Sequence, residues 1–109
     1  MSSEPQPELE ATLTWLGDCA WLSLAGELDI ATVATAYAEL GAAREAVELT
    51  IDLRGLRFMD ASGLRVLLHA RQSSRELWVV RGRRCVQRLL TLAQLDDRFE
   101  FVDGEFVTG

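Results

Sequence analysis

The chain has 109 residues, of which 49% are hydrophobic, so it is long enough to form one domain with one core. Its formal net charge of −6 argues against a general nucleic-acid binder, because contacts to phosphates need a cationic surface. The two cysteines are too few for a disulfide framework or a metal cluster, and no apolar stretch reaches membrane-spanning length.

The N-terminal part begins with a polar segment and continues with a strand pattern. Residues 1–8 lack the cationic and apolar stretches of a secretion signal, so we expect a disordered leader and a cytoplasmic protein. Residues 11–16 and 19–25 alternate between apolar and polar side chains, and Gly17-Asp18 between them supplies turn chemistry. This pattern predicts a β-hairpin.

A first helix is predicted directly after the hairpin. Residues 26–29 (GELD) close the second strand, and Asp29 is placed to cap a helix that runs roughly from Ala31 to Arg44. Apolar residues share one face of this helix: Val33, Tyr37 and Leu40. Residues 48–53 then form a third strand, and its strongly apolar character predicts a central position in the sheet.

The third strand leads into a second helix through a junction that carries a serine. Arg54-Gly55 is typical of a strand end, and a new apolar pattern with helical spacing begins at Leu64. Ser62 lies near the predicted start of this helix, where a serine can accept a bond from a free backbone N–H. The same position tolerates an added phosphate, because the helix dipole favours negative charge there. Ser62 is therefore a candidate cap and a candidate switch residue.

The C-terminal part continues the alternation of helices and strands. Residues 76–80 predict a fourth strand, Arg81–Arg84 a loop, and the apolar residues from Val86 to Ala93 a third helix. Residues 99–102 alternate and predict a short last strand. The order β-β-α-β-α-β-α-β predicts a single α/β domain, a mixed sheet of four to five strands with helices packed on it.

Three segments resemble one known family. Residues 26–29 resemble its strand-end GELD, residues 52–64 (DLRGLRFMDASGL) resemble its DLSGVxFMDSSGL signature, and residues 95–99 resemble the segment after its last helix. On these segments the chain resembles STAS domains, specifically the bacterial anti-sigma factor antagonists, or anti-anti-sigma factors. The resemblance covers roughly residues 9–103 as the domain and leaves 104–109 as a C-terminal tail.

The resemblance implies a phosphorylation switch. In the family, the second serine of DSSG is phosphorylated by a partner anti-sigma factor, a serine kinase of the GHKL type, and that position is Ser62 here. The unphosphorylated antagonist binds the anti-sigma factor and frees a sigma factor, and a serine phosphatase reverses the modification. Two features depart from the family pattern. Ala61 replaces the first serine, and residues 72–76 are shorter than usual and lack the customary glycine.

The resemblance also implies a partner-binding set around the serine: Asp29, Asp60, Ala61, Ser62 and Gly63. Each of the two acidic residues has a plainer interpretation. Asp60 either presents the hydroxyl or positions the kinase's metal-nucleotide, or it is a first-turn acidic residue favoured by the helix dipole. Asp29 is expected to act as a helix cap in either case, and the resemblance adds it to the partner surface. Gly63 permits either the close approach of another backbone or a tight turn.

No residue set indicates catalysis. No nucleophile–base–acid set, phosphate-cradling loop or metal-ligand spacing is present, so neither an enzyme nor a cofactor is expected. Arg81, Arg83, Arg84 and Arg88 form a basic cluster that is either a solvated face or a contact for an acidic partner. We expect a monomer that contacts neither nucleic acid nor membrane directly.

Two other STAS functions remain alternatives: an accessory subunit of a lipid-transport ABC system and a stressosome-type scaffold module. ABC-accessory domains commonly carry the hydroxyl residue next to the aspartate, as in DSAGL. The order Asp60-Ala61-Ser62-Gly63 favours the phosphoacceptor role instead.

Overall fold

The computed structural model describes residues 8–102 and 104. Within them the order of elements agrees with the predicted order and adds one short 3-10 helix, Asp96–Arg98. The predicted leader and tail lie outside the described residues except for Glu8 and Gly104. The strands and helices are β1 (Leu9–Leu16), β2 (Cys19–Leu28), α1 (Val33–Ala42), β3 (Glu48–Met59), α2 (Ala61–Ser73), β4 (Leu77–Val80), α3 (Arg84–Leu92) and β5 (Phe101–Val102).

The five strands form one mixed sheet in the order β1-β2-β3-β4-β5, which confirms the central position predicted for β3. The hairpin pair β1–β2 is antiparallel, and its turn contains Gly17 in the left-handed region at φ 63°. The other neighbouring pairs, β2–β3, β3–β4 and β4–β5, are parallel, because a helix connects each of these strands to the next. Four parallel strands therefore present their carboxyl ends at the same edge.

The core lies on one face of this sheet. Leu22, Ile51 and Val79 stand side by side on three adjacent strands, and each is at most 1% exposed. Buried residues of all three helices join them in one apolar cluster: Ala36, Leu40, Leu64, Val66, Leu67, Ala70, Val86 and Leu90. This burial stabilises the domain by roughly 25 cal/mol for each Å² of apolar surface removed from water.

The end of β3 differs from the prediction. We expected the strand to stop at Leu53 with a break at Arg54-Gly55, but it continues to Met59. Its extension pairs with the end of β2, with two irregularities in the register. Gly55 allows this pairing, since a Cβ there would lie 2.8 Å from the Cβ of Ala25. A glycine typical of turns is used here for the close approach of two strands.

Arg54 lies within the strand and is paired with a buried carboxylate. Its Nε and Nη2 donate to the two carboxylate oxygens of Asp52 at 3.0 and 2.8 Å. Burial opposes ionisation of the Asp52 carboxyl, but the bonds from Arg54 outweigh it, so the pKa of Asp52 lies below its ordinary value. Nη2 of Arg54 also donates to the carbonyl of Gly104 at 3.2 Å, which fastens that residue to the sheet.

Candidate functional site

Asp29 and Asp60 lie at neighbouring strand ends on the carboxyl edge of the sheet. Leu28 pairs with Met59 in the parallel register of β2 and β3, so the residues that follow them are neighbours. The backbone N–H of Asp60 donates to the carbonyl of Leu28 at 3.3 Å, which joins the two strand ends directly. The fold therefore brings together the two halves of the predicted site, which are about thirty positions apart in sequence.

Asp60, and not Ser62, caps helix α2. The Oδ1 atom of Asp60 accepts the backbone N–H of Ser62 at 2.9 Å, and Asp60 has the extended backbone of an N-cap residue. The interpretation of Ser62 as a cap is therefore wrong. The Ser62 side chain is half-buried in the first turn, and its hydroxyl makes no hydrogen bond within the part of the chain that the structure describes. That hydroxyl is available for chemistry.

The loop before α1 is fastened by Thr32, and Asp29 is not the cap of that helix. The helix begins at Val33, with Thr32 as its N-cap residue, and not at Ala31. Oδ1 of Asp29 instead accepts the backbone N–H of Ala31 at 3.0 Å, inside the preceding turn. The buried Thr32 hydroxyl donates to the carbonyl of Glu27 at 2.9 Å and accepts the N–H of Asp29 at 3.0 Å. The short loop is thereby held in one conformation.

Gly63 is required by packing within the chain itself. It is buried, and a Cβ at this position would meet the side chain of Met59 and lie 3.1 Å from Cδ2 of Leu28. The start of α2 can therefore approach the strand ends only without a side chain at Gly63. Ala61, one residue before Ser62, is exposed and leaves the approach to the serine open from the solvent side.

A shallow groove beside Ser62 includes two residues that the sequence did not single out, Ile30 and Arg65. The groove has a volume of about 190 Å³ and lies between the loop before α1, helix α1 and the start of α2. Its lining residues are Ile30, Val33, Tyr37, Ser62 and Arg65. Ile30 is 75% exposed, and exposed apolar side chains grouped at one place mark contact surfaces. Helical spacing placed Tyr37 with Leu40, yet Tyr37 is 38% exposed and its ring contacts His69 edge-on.

The strand edge next to the groove is acidic. Glu8 lies beside Glu27, whose carboxylate raises the pKa of Glu8 by hydrogen bonding and by its charge. Nη2 of Arg57 lies 3.8 Å from Oε2 of Glu27, and this pair is largely exposed to solvent. Asp29 and Asp60, at the neighbouring strand ends, add two further carboxylates to this side of the site.

The other features considered in the sequence lie away from this groove. The guanidinium of Arg81 lies 4.6 Å from the centre of the Phe101 ring, Arg83 is the N-cap residue of α3, and Arg84 and Arg88 are exposed.

A second cavity of about 390 Å³ lies at the far end of α2, and its lining includes arginine and acidic side chains. Within residues 8–102 and 104, no acidic, cysteine or histidine cluster could hold a metal ion, and no helix is long and apolar enough to cross a membrane.

The comparisons with known proteins agree with this architecture. The family model described as "Mlab, STAS domain" matches residues 11–106. An anti-sigma factor antagonist from Mycobacterium paratuberculosis has 22% identity and a TM-score of 0.81, with 94% of this chain and 92% of that chain covered. The anti-sigma factor antagonist SpoIIAA in its unphosphorylated form has 18% identity and a TM-score of 0.75, with coverages of 88% and 89%.

A phosphorylated form is among the similar structures. The Bacillus cell fate determinant SpoIIAA in the phosphorylated form has 17% identity and a TM-score of 0.69, with 88% of this chain and 92% of that chain covered. At these identities the structural likeness shows a shared fold. No curated protein sequence matches the chain.

Proposed function

The chain belongs to the STAS domain family, and from that membership we propose that it is an anti-sigma factor antagonist controlled at Ser62. In this proposal the unphosphorylated protein binds an anti-sigma factor of the GHKL serine kinase type, and a sigma factor is released. Phosphorylation of Ser62 ends the binding, and a serine phosphatase restores it. The protein acts as a binding partner and kinase substrate in the cytoplasm, as a monomer, and not as an enzyme.

One observation carries the proposal. The Ser62 hydroxyl lies in the first turn of α2, without an internal hydrogen bond among the described residues, at the rim of a groove with exposed apolar walls. A serine held there reaches a kinase without unfolding of the domain. In the transfer, the Ser62 oxygen attacks the γ-phosphorus of ATP and loses its proton, and ADP leaves.

The charge of the product explains how one modification switches binding. A phosphoserine carries about −1.5 to −2 charges near neutral pH. The dipole of α2 limits the cost of that charge inside this protein. At an interface with a partner, burying the charge costs about 2–5 kcal/mol, or roughly 30-fold to several-thousand-fold in affinity. A loss of affinity in that range is sufficient to change the protein from mostly bound to mostly unbound.

The test is intact-mass spectrometry after incubation with Mg-ATP and each candidate GHKL anti-sigma kinase from the source genome. We expect one added phosphate on the wild type and none on Ser62→Ala. Ser73→Ala is the matched control, because Ser73 is on the same helix and its hydroxyl donates to the carbonyl of His69 at 2.8 Å. This control is expected to be phosphorylated like the wild type.

Two outcomes contradict the proposal. If no candidate kinase adds a phosphate, the switch is wrong, and the alternatives of a lipid-transport ABC accessory subunit or a stressosome-type scaffold move forward. If Ser62→Ala is still phosphorylated, the acceptor is another residue.

A further inference from the structure

Arg65 follows Ser62 by three positions on α2 and shares its groove. Residues three apart on a helix are neighbours, and helical side chains point toward the N-terminus. The long side chain of Arg65 therefore lies over the turn that contains Ser62, and both side chains line the same groove. Arg65 is exposed and takes part in none of the ion pairs found among residues 8–102 and 104. Its guanidinium can therefore form an ion pair with an anion added nearby.

The surroundings direct an anion at Ser62 toward Arg65. Arg65 is the one cationic side chain among the five that line the groove, and Ile30, Val33 and Tyr37 supply the apolar part of its walls. On the strand side, the Asp60 carboxylate already accepts a hydrogen bond from the Ser62 N–H. Its negative charge repels a phosphate on Ser62. Charge pairs are stronger beside apolar walls than in open water, because the local dielectric is lower.

We propose that Arg65 pairs with the phosphate on Ser62 and holds it in the groove. The modification would then cover the apolar surface that the unphosphorylated protein offers to its partner, in addition to introducing repulsive charge. Guanidinium groups suit this task because they form paired hydrogen bonds to phosphate oxygens. The inference rests on the proposed phosphorylation of Ser62 and adds the residue that positions the phosphate.

The test does not depend on a kinase. Phosphoserine is placed at position 62 during translation with an expanded genetic code, and the second pKa of the phosphate is measured by ³¹P NMR. That pKa is ordinarily about 6. A neighbouring cation favours the doubly charged phosphate, so we expect Arg65→Gln to raise the measured pKa by about 0.2–0.7 unit. Arg65→Lys keeps the charge and is expected to retain part of the effect.

Arg71→Gln is the matched control, since it removes the same charge from the same helix. Arg71 lies nine residues after Ser62, about 13 Å along the helix, beyond a screening length of about 8 Å at physiological salt. His69 contacts Tyr37 but is present in all variants, so its contribution is the same in each comparison. The Tyr37 ring signals are a second readout. They are expected to shift on phosphorylation in the wild type and less in Arg65→Gln.

The proposal is overturned if the phosphate pKa is the same in the wild type and Arg65→Gln, or if Arg71→Gln raises it equally. The first result would mean that no pair forms, and the second that only net charge matters. Neither result bears on whether a kinase modifies Ser62. Conversely, absence of a kinase would leave the measured pairing intact, so failure of this inference and failure of the proposed function are separate outcomes.

Discussion

The Oδ1 atom of Asp60 accepts the backbone N–H of Ser62 at 2.9 Å, so the residue two positions before the proposed phosphoacceptor is the cap of its helix. One carboxylate thereby sets both the start of α2 and the position of the serine on it. The bond uses the backbone of Ser62 and leaves its hydroxyl unengaged within the described residues. The Asp60 cap therefore does not depend on whether the Ser62 hydroxyl is modified.

Asp60→Ala is expected to lower the free energy of unfolding by about 0.5–2 kcal/mol, the usual cost of losing an N-cap. Asp60→Asn should remain close to the wild type, because asparagine caps about as well as aspartate. Urea denaturation of the three proteins measures the difference. Equal stability of Asp60→Ala and the wild type would show that the cap contributes nothing. Comparing the rate at which Asp60→Asn and the wild type are phosphorylated then measures the contribution of the Asp60 charge.

The sequence predicted the elements well because their patterns are local. The hairpin followed from alternation around Gly17-Asp18, and the apolar character of residues 48–53 correctly placed the third strand at the centre of the sheet. The prediction failed at the end of β3, where Arg54-Gly55 has the chemistry of a turn. Pairing with β2, which approaches closely at Gly55, overrides it, and Arg54 pairs within the strand with Asp52. The approach of β2 comes from Ala25, far away in the sequence, so it is not visible in the local pattern.

The helix caps were misplaced for a related reason. Ser62 and Asp60 are both good N-cap residues, and which one caps depends on where the preceding strand ends. Because β3 runs to Met59, Asp60 is the first residue after it. The groove was missed because its walls come from two helices and a loop that only the fold brings together. Spacing along the chain cannot relate Ile30 to Arg65.

Gly63→Ala is expected to destabilise the domain by about 1–3 kcal/mol, the usual cost of overpacking a filled site. The added methyl group would meet Met59 and Leu28, both buried at the strand ends. Gly41→Ala is the matched control, because Gly41 also lies in a helix but a Cβ there meets nothing within 4 Å. That variant should be neutral or more stable by up to about 1 kcal/mol. Thermal or urea unfolding of both variants tests the contrast, and equal effects would contradict the packing argument.

Asp52→Asn is expected to lose stability at neutral pH and to approach the wild type in acid. The pKa of Asp52 in the folded protein lies below its ordinary value of 3.8, so as the pH falls the unfolded chain takes up the proton first. The stabilisation is therefore complete above that ordinary value and is lost as the pH falls through the lower, folded value.

The size of this effect follows from the hydrogen bonds to Arg54. Loss of bonds to a charged, nearly buried carboxylate costs about 1–3 kcal/mol at pH 7. Urea unfolding of the wild type and Asp52→Asn at pH 7 and near pH 3 gives the two differences in free energy. A difference that stays constant between these pH values would show that ionisation of Asp52 does not stabilise the fold.

Under the proposed function, Ile30→Ala is expected to weaken binding of the anti-sigma factor kinase without weakening the fold. Ile30 is 75% exposed at the groove beside Ser62, so its truncation should change the free energy of unfolding by no more than about 0.5 kcal/mol. An apolar anchor at the centre of an interface contributes more than about 1 kcal/mol, so we expect at least a fivefold rise in Kd.

Leu92→Ala is the control for Ile30→Ala, since Leu92 is 72% exposed but lies at the end of α3. Isothermal titration of the unphosphorylated variants with the kinase identified by mass spectrometry measures both affinities. Leu92→Ala should bind like the wild type, because it removes a similar apolar side chain outside the groove. If the two variants lose affinity equally, or if only Leu92→Ala does, the partner contacts a surface other than the groove at Ser62.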